Sequence, residues 1–220
     1  MLEILYEDNH LIAVNKKSGE IVQGDKTGDY TLSEHVKNYI KKKYKKKGNV
    51  FLGTIHRLDR PTSGVIIYAK TSKALKRMND LFQKREINKI YWAIVENIPN
   101  EINGKIESYL RKNQKKNKSF LVSKEKGKYA YLEYNLLQKL NKYYLLEIKP
   151  TTGRHHQIRT QLAQIGSIIK GDLKYGAKRS NKDGSISLLA KEMKFTHPIK
   201  KENIVIKAPL PTKDSIWKDI

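Results

Sequence analysis

The chain has 220 residues, of which 45 are lysine or arginine and 22 are aspartate or glutamate, giving a formal net charge of +23. A chain of this length can bury a substantial core, and such an excess of positive charge indicates a polyanionic partner, most simply a nucleic acid. The alternative is a compositional bias toward lysine, which does not by itself explain the shortage of acidic residues. Cysteine is absent, which excludes disulfides and thiolate metal sites and suits a reducing cytoplasm.

The N-terminal part of the sequence predicts a hairpin followed by a helix. Short apolar runs at residues 2–6 and 11–15 flank a polar turn, and neither is long enough for a signal peptide or a membrane span, so we expect a soluble cytoplasmic protein. The turn that follows residue 15 is expected to carry no chemistry. Thr31 and Glu34 form a capping-box pattern, and the helix that they start is predicted to end near Gly48.

The most informative stretch is HRLDRPTSGVIIYAK at residues 56–70. Pro61 fixes its own backbone and disfavours helical geometry at Arg60, so Asp59 is predicted in a rigid loop that can aim a carboxylate. Gly64 removes a side chain where the loop enters an apolar strand, so another chain or a ligand can approach closely. An aspartate in a proline-containing turn more often bonds to its own backbone, and spacing alone favours that interpretation.

A helix and several strands are predicted in the middle of the chain. Thr71 or Ser72 caps the helix, and the sequence NKIYWAIV alternates as a strand with both faces partly covered. Tyr91 lies in this strand, and by residue type alone it is a sheet-face aromatic. The basic sequence RKNQKKNKS is predicted as a loop that faces RNA or stays mobile.

A second informative stretch, PTTGRHHQIRTQLAQI, begins at Pro150. Gly153 predicts a turn, and residues 154–165 predict a helix that Gly166 ends. At about 100° per residue, Arg159 borders the apolar stripe of this helix and can reach inward. By residue type it is as readily a surface cation whose stem covers apolar area.

The sequence contains no pattern for a metal or a nucleotide cofactor. His155 and His156 are adjacent, but HExxH, cysteine and a carboxylate cluster at ligand spacing are all missing. The stretch GDLKYGAK lacks the spacing of GxGxxG or of a GKS/GKT loop. We therefore predict no metal, no nucleotide cofactor and no other cofactor.

Four ordered motifs resemble the RluA-type pseudouridine synthases, a family that modifies ribosomal and transfer RNA. The motifs are HRLDxxTSGxxxxAK at 56–70, KxYxAxV at 89–95, TGRxHQIR at 152–159 and GDxxYG at 171–176. Four motifs in order are far more specific than one, and the resemblance extends over residues 2–211. The chain departs from the family where Lys17 replaces a proline and Leu189 a histidine.

The resemblance implies a mixed α/β (α+β) fold, namely the pseudouridine synthase fold with a bent, mainly antiparallel mixed sheet, flanking helices and a central basic cleft. It also implies one catalytic domain over residues 1–220, without a separate N-terminal RNA-binding domain. The residue pattern agrees, since no linker or internal repeat divides the chain. We expect a monomer whose partner is ribosomal or transfer RNA.

By resemblance, Asp59 is the catalytic aspartate, Arg159 is its partner, and Tyr91 lies against the target uracil. A carboxylate withdrawn from water tends to take up a proton, and a nearby arginine opposes this without losing its own. Arg57 is expected to fill the space that the flipped base leaves, with a role as a cation of the turn or as a phosphate contact as the alternative. The residues expected to contact RNA are Arg57, His56, Arg60, Thr62, Arg154 and His156.

The implied reaction is the isomerisation of uridine within RNA: the bond from ribose to N1 breaks, the base turns, and C5 bonds to the ribose. Asp59 attacks either uracil C6 or ribose C1′, and the sequence leaves both routes open. Two other classes compete with this interpretation. The first is a non-catalytic RNA-binding protein of the same fold, which the retained site residues disfavour. The second is a hydrolase that uses a pair of carboxylates, which is disfavoured because the matched motifs contain no second acid for the pair.

Overall fold

The structure is a computed structural model that describes residues 2–24 and 28–220. Its strands, in chain order, are β1 (Ile4–Glu7), β2 (Leu11–Lys16), β3 (Gly53–Thr54), β4 (Ser63–Ala69), β5 (Asn88–Val95), β6 (Asn103–Asn113), β7 (Lys118–Val122), β8 (Lys128–Lys139), β9 (Tyr144–Pro150), β10 (Leu188–Thr196) and β11 (Asn203–Lys207). Its helices are α1 (Leu32–Lys43), α2 (Ser72–Gln83) and α3 (Gln157–Gln164). No helix within the described ranges is both long and apolar enough to cross a membrane.

The chain forms two compact units. The first contains the residues up to Asn88 together with Ala190–Pro209, and the second contains Lys89–Leu189 together with Leu210–Ile220. The grouping reflects compactness alone, so the single catalytic domain inferred from the sequence stays a prediction.

In the first unit, β2 pairs antiparallel with both β1 and β4, which confirms the predicted opening hairpin. The short β3 also pairs with β4, and β10 pairs antiparallel with β11. Residues 11–14 of β2 are fully buried, because alternate side chains point to opposite faces and both faces are covered. Ile12 and Val14 pack against Leu32, Val36 and Ile40 of α1 in the apolar cluster of this unit.

Helix α1 begins as predicted and ends earlier. The Thr31 side chain accepts from the Glu34 N–H while the Glu34 side chain accepts from the Thr31 N–H, so both halves of the capping box are present. The helix ends at Lys43, and the predicted end near Gly48 is wrong. Continuing it would stack like charges four residues apart along the lysine run 41–47, and Lys45 instead adopts a left-handed conformation with φ 49°.

The second unit has an antiparallel sheet in the order β5-β9-β8-β6-β7. The basic sequence RKNQKKNKS, predicted as a loop, lies largely in strands: β6 continues to Asn113 and β7 starts at Lys118. Its turn is confined to residues 114–117. Ile158 and Leu162 of α3 join the apolar cluster of this unit. The predicted mixed, mainly antiparallel α/β class is confirmed.

Helix α3 begins at Gln157, three residues after the predicted start. His156 has φ 52°, a left-handed conformation that a helix does not contain. The Gln157 carboxamide oxygen accepts from the Thr152 hydroxyl (2.7 Å) and from the Arg154 N–H (2.9 Å), which holds the preceding residues in a loop. Gly166 follows the helix with φ 76°, as predicted for its C-terminal stop.

Candidate active site

The Asp59 loop in the first unit is a tight turn that leads into β4. The Asp59 carbonyl accepts from the Thr62 N–H at 3.0 Å, and the Asp59 side chain is half-buried. Gly64 has φ 119°, and a Cβ at this position would lie 2.3 Å from the Ala190 carbonyl oxygen. The close approach predicted at Gly64 is therefore confirmed, and a second backbone fixes the exit of the loop.

A buried lysine holds the other side of this loop. The side chain of Lys16 is fully buried, and its Nζ donates to the carbonyls of Lys17 (3.1 Å), Arg60 (3.0 Å) and Thr62 (2.7 Å). Burial lowers the pKa of Lys16 to about 8, although Glu20 and Asp59 oppose the shift. The amine therefore bonds to two carbonyls that follow the aspartate in its loop, and to one carbonyl in the turn after β2.

The turn after β2 adds two further contacts to the Asp59 loop. The Ser18 hydroxyl donates to the Pro61 carbonyl at 3.2 Å, and the Gly19 N–H donates to the Arg60 carbonyl at 2.9 Å. The sequence analysis assigned no role to this turn or to Lys16, because Lys16 is one of many lysines and lysine is usually exposed. The position of Lys16 at the end of a buried strand is the signal that could have revealed its role.

The predicted RNA contacts of the first unit fall into two groups. Arg57 and Arg60 are exposed, and Arg60 forms a surface ion pair with Asp29 at 3.0 Å. His56 instead accepts from the Ile67 N–H through Nε2 at 3.0 Å and stacks on Phe82. Thr62 is buried. The two arginines are thus placed to meet solvent or phosphate, whereas His56 and Thr62 help to build the loop.

Tyr91 lies in β5 of the second unit, opposite Ile148 of β9. Its ring is half-buried and packs against the apolar cluster of that unit. Packing against the cluster holds the ring, and the residue as a whole stays partly exposed. This placement suits both an ordinary sheet aromatic and a platform for a base.

Arg159 is buried in the second unit, with 5% of its side chain exposed. Its Nε donates to Asp172 Oδ2 at 2.7 Å and its Nη2 donates to Asp172 Oδ1 at 2.8 Å, which forms a two-point ion pair. Its Nη1 lies 2.9 Å from His156 Nε2. A guanidinium carries five N–H groups, so these contacts do not exhaust its donors.

His156 is a neutral ring that helps to hold Arg159. Burial, reinforced by the positive charge of Arg159, lowers the pKa of His156 to about 2. Arginine can only donate, so Nε2 of His156 must accept, and the ring proton is on Nδ1. Nδ1 then donates to the Tyr175 hydroxyl at 2.9 Å, and that hydroxyl also accepts from the Ser119 N–H at 2.9 Å.

Asp172 and Tyr175 join Lys16 as residues of the candidate site that the sequence analysis did not identify. Both occur in GDxxYG, which contributed to the resemblance without receiving a role. Asp172 is 1% exposed and Tyr175 is 9% exposed. The signal was present in the motif, since a buried aspartate requires a partner and an arginine lay in the preceding motif.

Arg154 is half-exposed and anchored at one nitrogen. Its Nε donates to the Tyr129 carbonyl at 2.8 Å. It lines a groove of about 500 Å³ in the second unit together with four other cations, Arg111, Lys112, Lys126 and Lys128. Such a groove suits a polyanion, and the RNA contact of Arg154 stays a prediction.

No group of three or more histidine, aspartate or glutamate side chains suited to a metal ion occurs within residues 2–24 and 28–220.

The architecture is similar to that of solved pseudouridine synthase structures. Human RNA pseudouridylate synthase domain containing 4 superposes with a TM-score of 0.79 over 95% of this chain and 88% of the other, at 24% identity. Human RNA pseudouridylate synthase domain containing 1 gives a TM-score of 0.76 over 99% of this chain and 88% of the other, at 22% identity. The predicted pseudouridine synthase fold is therefore confirmed.

The family follows from the sequence match. Residues 10–164 match the RNA pseudouridylate synthase family, and the chain belongs to that family. The chain is 36% identical to ribosomal large subunit pseudouridine synthase C of Buchnera aphidicola, over 99% of this chain and 69% of the relative. It is 31% identical to tRNA pseudouridine synthase C of Vibrio vulnificus, over 100% of this chain and 94% of the relative. The chain is thus an RNA pseudouridine synthase, which is an isomerase.

Proposed function

We propose that this chain converts uridine to pseudouridine in ribosomal or transfer RNA, with Asp59 as the nucleophile. The choice of RNA rests on the relatives, which are named for one or the other substrate. The role of Asp59 rests on one observation above all: a buried amine, that of Lys16, donates to two carbonyls of its loop, those of Arg60 (3.0 Å) and Thr62 (2.7 Å). A nucleophile benefits from such support because small errors in position cost large factors in rate.

In the proposed reaction the target uridine leaves its stack and Asp59 attacks either uracil C6 or ribose C1′. The bond from ribose to N1 breaks, the base turns, and C5 bonds to C1′. The bond to Asp59 breaks and returns the carboxylate, the C5 proton passes to solvent, and N1 takes up a proton. Tyr91 offers its ring to the uracil. Arg159 is the proposed partner that keeps the Asp59 carboxylate charged, and its support is the buried network that fixes the guanidinium.

Arg57, Arg60 and Arg154 are the proposed contacts to the RNA backbone or to the space that the base vacates. Arg57 and Arg60 are exposed and Arg154 is partly exposed, as a phosphate-binding side chain must be. The sequence also predicted RNA contacts for His56, Thr62 and His156. For these three the observed bonds and burial support a role in positioning the loops instead.

We further propose that the protein acts as a cytoplasmic monomer, as one catalytic domain and without a nucleotide cofactor. The reaction is an isomerisation and has no net requirement for an oxidant, a phosphate donor or a metal.

A pseudouridine map of total RNA tests the proposal. The map uses carbodiimide adducts and reverse-transcription stops in a strain that lacks the gene, complemented with the intact protein, with Asp59→Ala or with Asp80→Ala. Asp80 is an exposed aspartate on α2 of the same unit and serves as the matched control. We expect particular stops to vanish on deletion and to return with the intact protein and the control, but not with Asp59→Ala.

Other outcomes of the map would contradict the proposal. Stops that return with Asp59→Ala would exclude Asp59 as the nucleophile. A map that is unchanged on deletion, in cells that normally express the gene, would favour a non-catalytic RNA-binding protein. Release of free uracil from the RNA would indicate a hydrolase.

A further inference from the structure

The second unit contains a cationic pocket that none of the roles above uses. Its volume is about 710 Å³, and Asp59, Tyr91 and Arg159 are not among the residues that line it. The exposed cations that line it are Lys142, Lys178, Arg179, Lys182 and Lys213.

The floor of the pocket is a hydrogen-bonded network. Lys170 Nζ donates to Asn181 Oδ1 and to Asp214 Oδ2, both at 2.6 Å. The buried Asn181 amide donates in turn to the hydroxyls of Ser185 (3.1 Å) and Ser187 (3.2 Å). Gly171 closes the network, because a Cβ there would lie 2.8 Å from the Asn181 side chain. The floor is therefore held in place by the fold before any ligand binds.

The charge of the pocket is unbalanced. Six lysine or arginine side chains line it against three carboxylates, and the Asp214 carboxylate is already paired with Lys170. In the part of the chain that the structure describes, none of the five exposed cations has a carboxylate within 4.0 Å. Cations gathered at a concave surface raise the local concentration of anions, and phosphate groups are the ligands that this pattern fits.

The pocket is too far along β5 to touch the base that Tyr91 is proposed to hold. Glu96 lines the pocket and directly follows β5, whereas Tyr91 lies five residues earlier in the same strand. At about 3.3 Å per residue, roughly 17 Å of extended chain separates the two. A ligand in the pocket is therefore a different part of the RNA from the target uridine.

We propose that this pocket binds backbone phosphates of the substrate RNA away from the modified nucleotide and so contributes to the choice of substrate. Tyr143 lines the pocket and is half-exposed, which places a ring beside the cations for a neighbouring base. The inference depends on the proposed function only for RNA as the ligand. The catalytic role of Asp59 does not enter it.

Paired lysine substitutions test the pocket. The pocket variant is Lys182→Gln/Lys213→Gln, and the matched control is Lys37→Gln/Lys194→Gln, which removes two exposed charges outside the pocket. Binding is measured at several salt concentrations to ribosomal RNA and transfer RNA extracted from the strain that lacks the gene. We expect the pocket variant to raise Kd by about tenfold at physiological salt and to lower the slope of log K against log salt by about 0.7 per lost contact. Turnover on the same RNA should show the loss in KM rather than in kcat.

Three results would overturn the proposal. Equal weakening in both variants would show that only net charge matters, and unchanged binding in the pocket variant would show that RNA does not contact it. If the wild-type protein binds inorganic phosphate at millimolar concentration and the pocket variant does not, while phosphate leaves the RNA affinity of the wild-type protein unchanged, the pocket is a small-anion site. The pseudouridine map tests the proposed function separately. An unchanged map would contradict that function, and the comparison of RNA binding between the two variants would still test the pocket.

Discussion

The two candidate catalytic residues are held in place by different means. The Asp59 loop of the first unit is fixed through its backbone, whose carbonyls accept from the single amine of Lys16. Arg159 of the second unit is fixed through side chains, by two bonds to Asp172 and one to His156. The support of the Asp59 loop tolerates side-chain substitutions at the accepting residues, because only their backbone carbonyls take part. The support of Arg159 requires particular side chains at particular positions.

The two supports also differ in how they handle charge. Lys16 is a buried cation whose direct partners are neutral carbonyls, and burial brings its pKa down to about 8. Arg159 is a buried cation with a buried carboxylate bound at two points, and it keeps its proton at any ordinary pH. The first support is therefore sensitive to alkaline pH and the second is not.

Among changes to the residues that support the two candidate catalytic groups, the largest effect is expected for Asp172→Asn. The change leaves the charge of Arg159 buried without its counter-charge, which destabilises a protein by about 3 to 5 kcal/mol when one partner of a buried pair is removed. A guanidinium that shifts by about 1 Å costs roughly 100-fold in kcat. Denaturant unfolding and turnover under single-turnover conditions measure the two quantities.

The control for this change is Glu202→Gln, which breaks a surface ion pair with Lys200 at 3.5 Å. We expect it to cost less than about 1 kcal/mol and to leave turnover unchanged. If Asp172→Asn behaves like this control, the buried network does not position Arg159.

A smaller effect is expected for Lys16→Met. The carbonyls around Asp59 lose their common donor, and we expect kcat to fall by about tenfold because the loop is less well aimed. A normal kcat in a stably folded Lys16→Met protein would show that the loop holds its geometry without the amine.

The same variant tests the charge of Lys16. Its folded pKa of about 8 lies below the ordinary value of 10.5, so between these values the unfolded chain binds more protons and stability rises with pH. Relative to Lys16→Met, the wild-type protein should gain about 2 kcal/mol in the free energy of unfolding between pH 7 and 9.5. A difference that stays constant over this range would show that Lys16 is not desolvated.

The smallest effect is expected for Thr31→Ala, at the start of α1. Loss of the cap should lower the free energy of unfolding by about 1 kcal/mol. Turnover should be unchanged, since neither support of the candidate site involves this residue. A loss of turnover without a loss of stability would show that α1 contributes to the site directly.

The sequence predicted the parts of the site whose signals are local. Pro61 and Gly64 stand within five residues of Asp59 and carry the backbone restrictions that shape its loop. The partners of Arg159 were missed because Asp172 lies 13 residues away, and periodicity carries no information about which side chains meet across a turn. Lys16 was missed for the same reason, since the carbonyls it binds lie up to 46 residues further on.

The elements of the fold were predicted better than their ends. The start of α1 was correct because the Thr31 capping box is a specific local pattern. The end of α1 and the start of α3 were wrong, because repulsion along a lysine run and the side-chain bonds of Gln157 overrode helical propensity. Tertiary hydrogen bonds decide such boundaries, and apolar spacing does not reveal them.

The most direct test of Asp59 as the nucleophile is release of tritium from RNA labelled at uracil C5, measured in a single turnover with excess purified protein. C5 loses its hydrogen only when it bonds to the ribose, so release reports the isomerisation itself. We expect release with the wild-type protein and a rate at least about 10⁴-fold lower with Asp59→Asn, which keeps the shape of the side chain and binds the RNA with similar affinity. Release at the wild-type rate from Asp59→Asn would contradict the account.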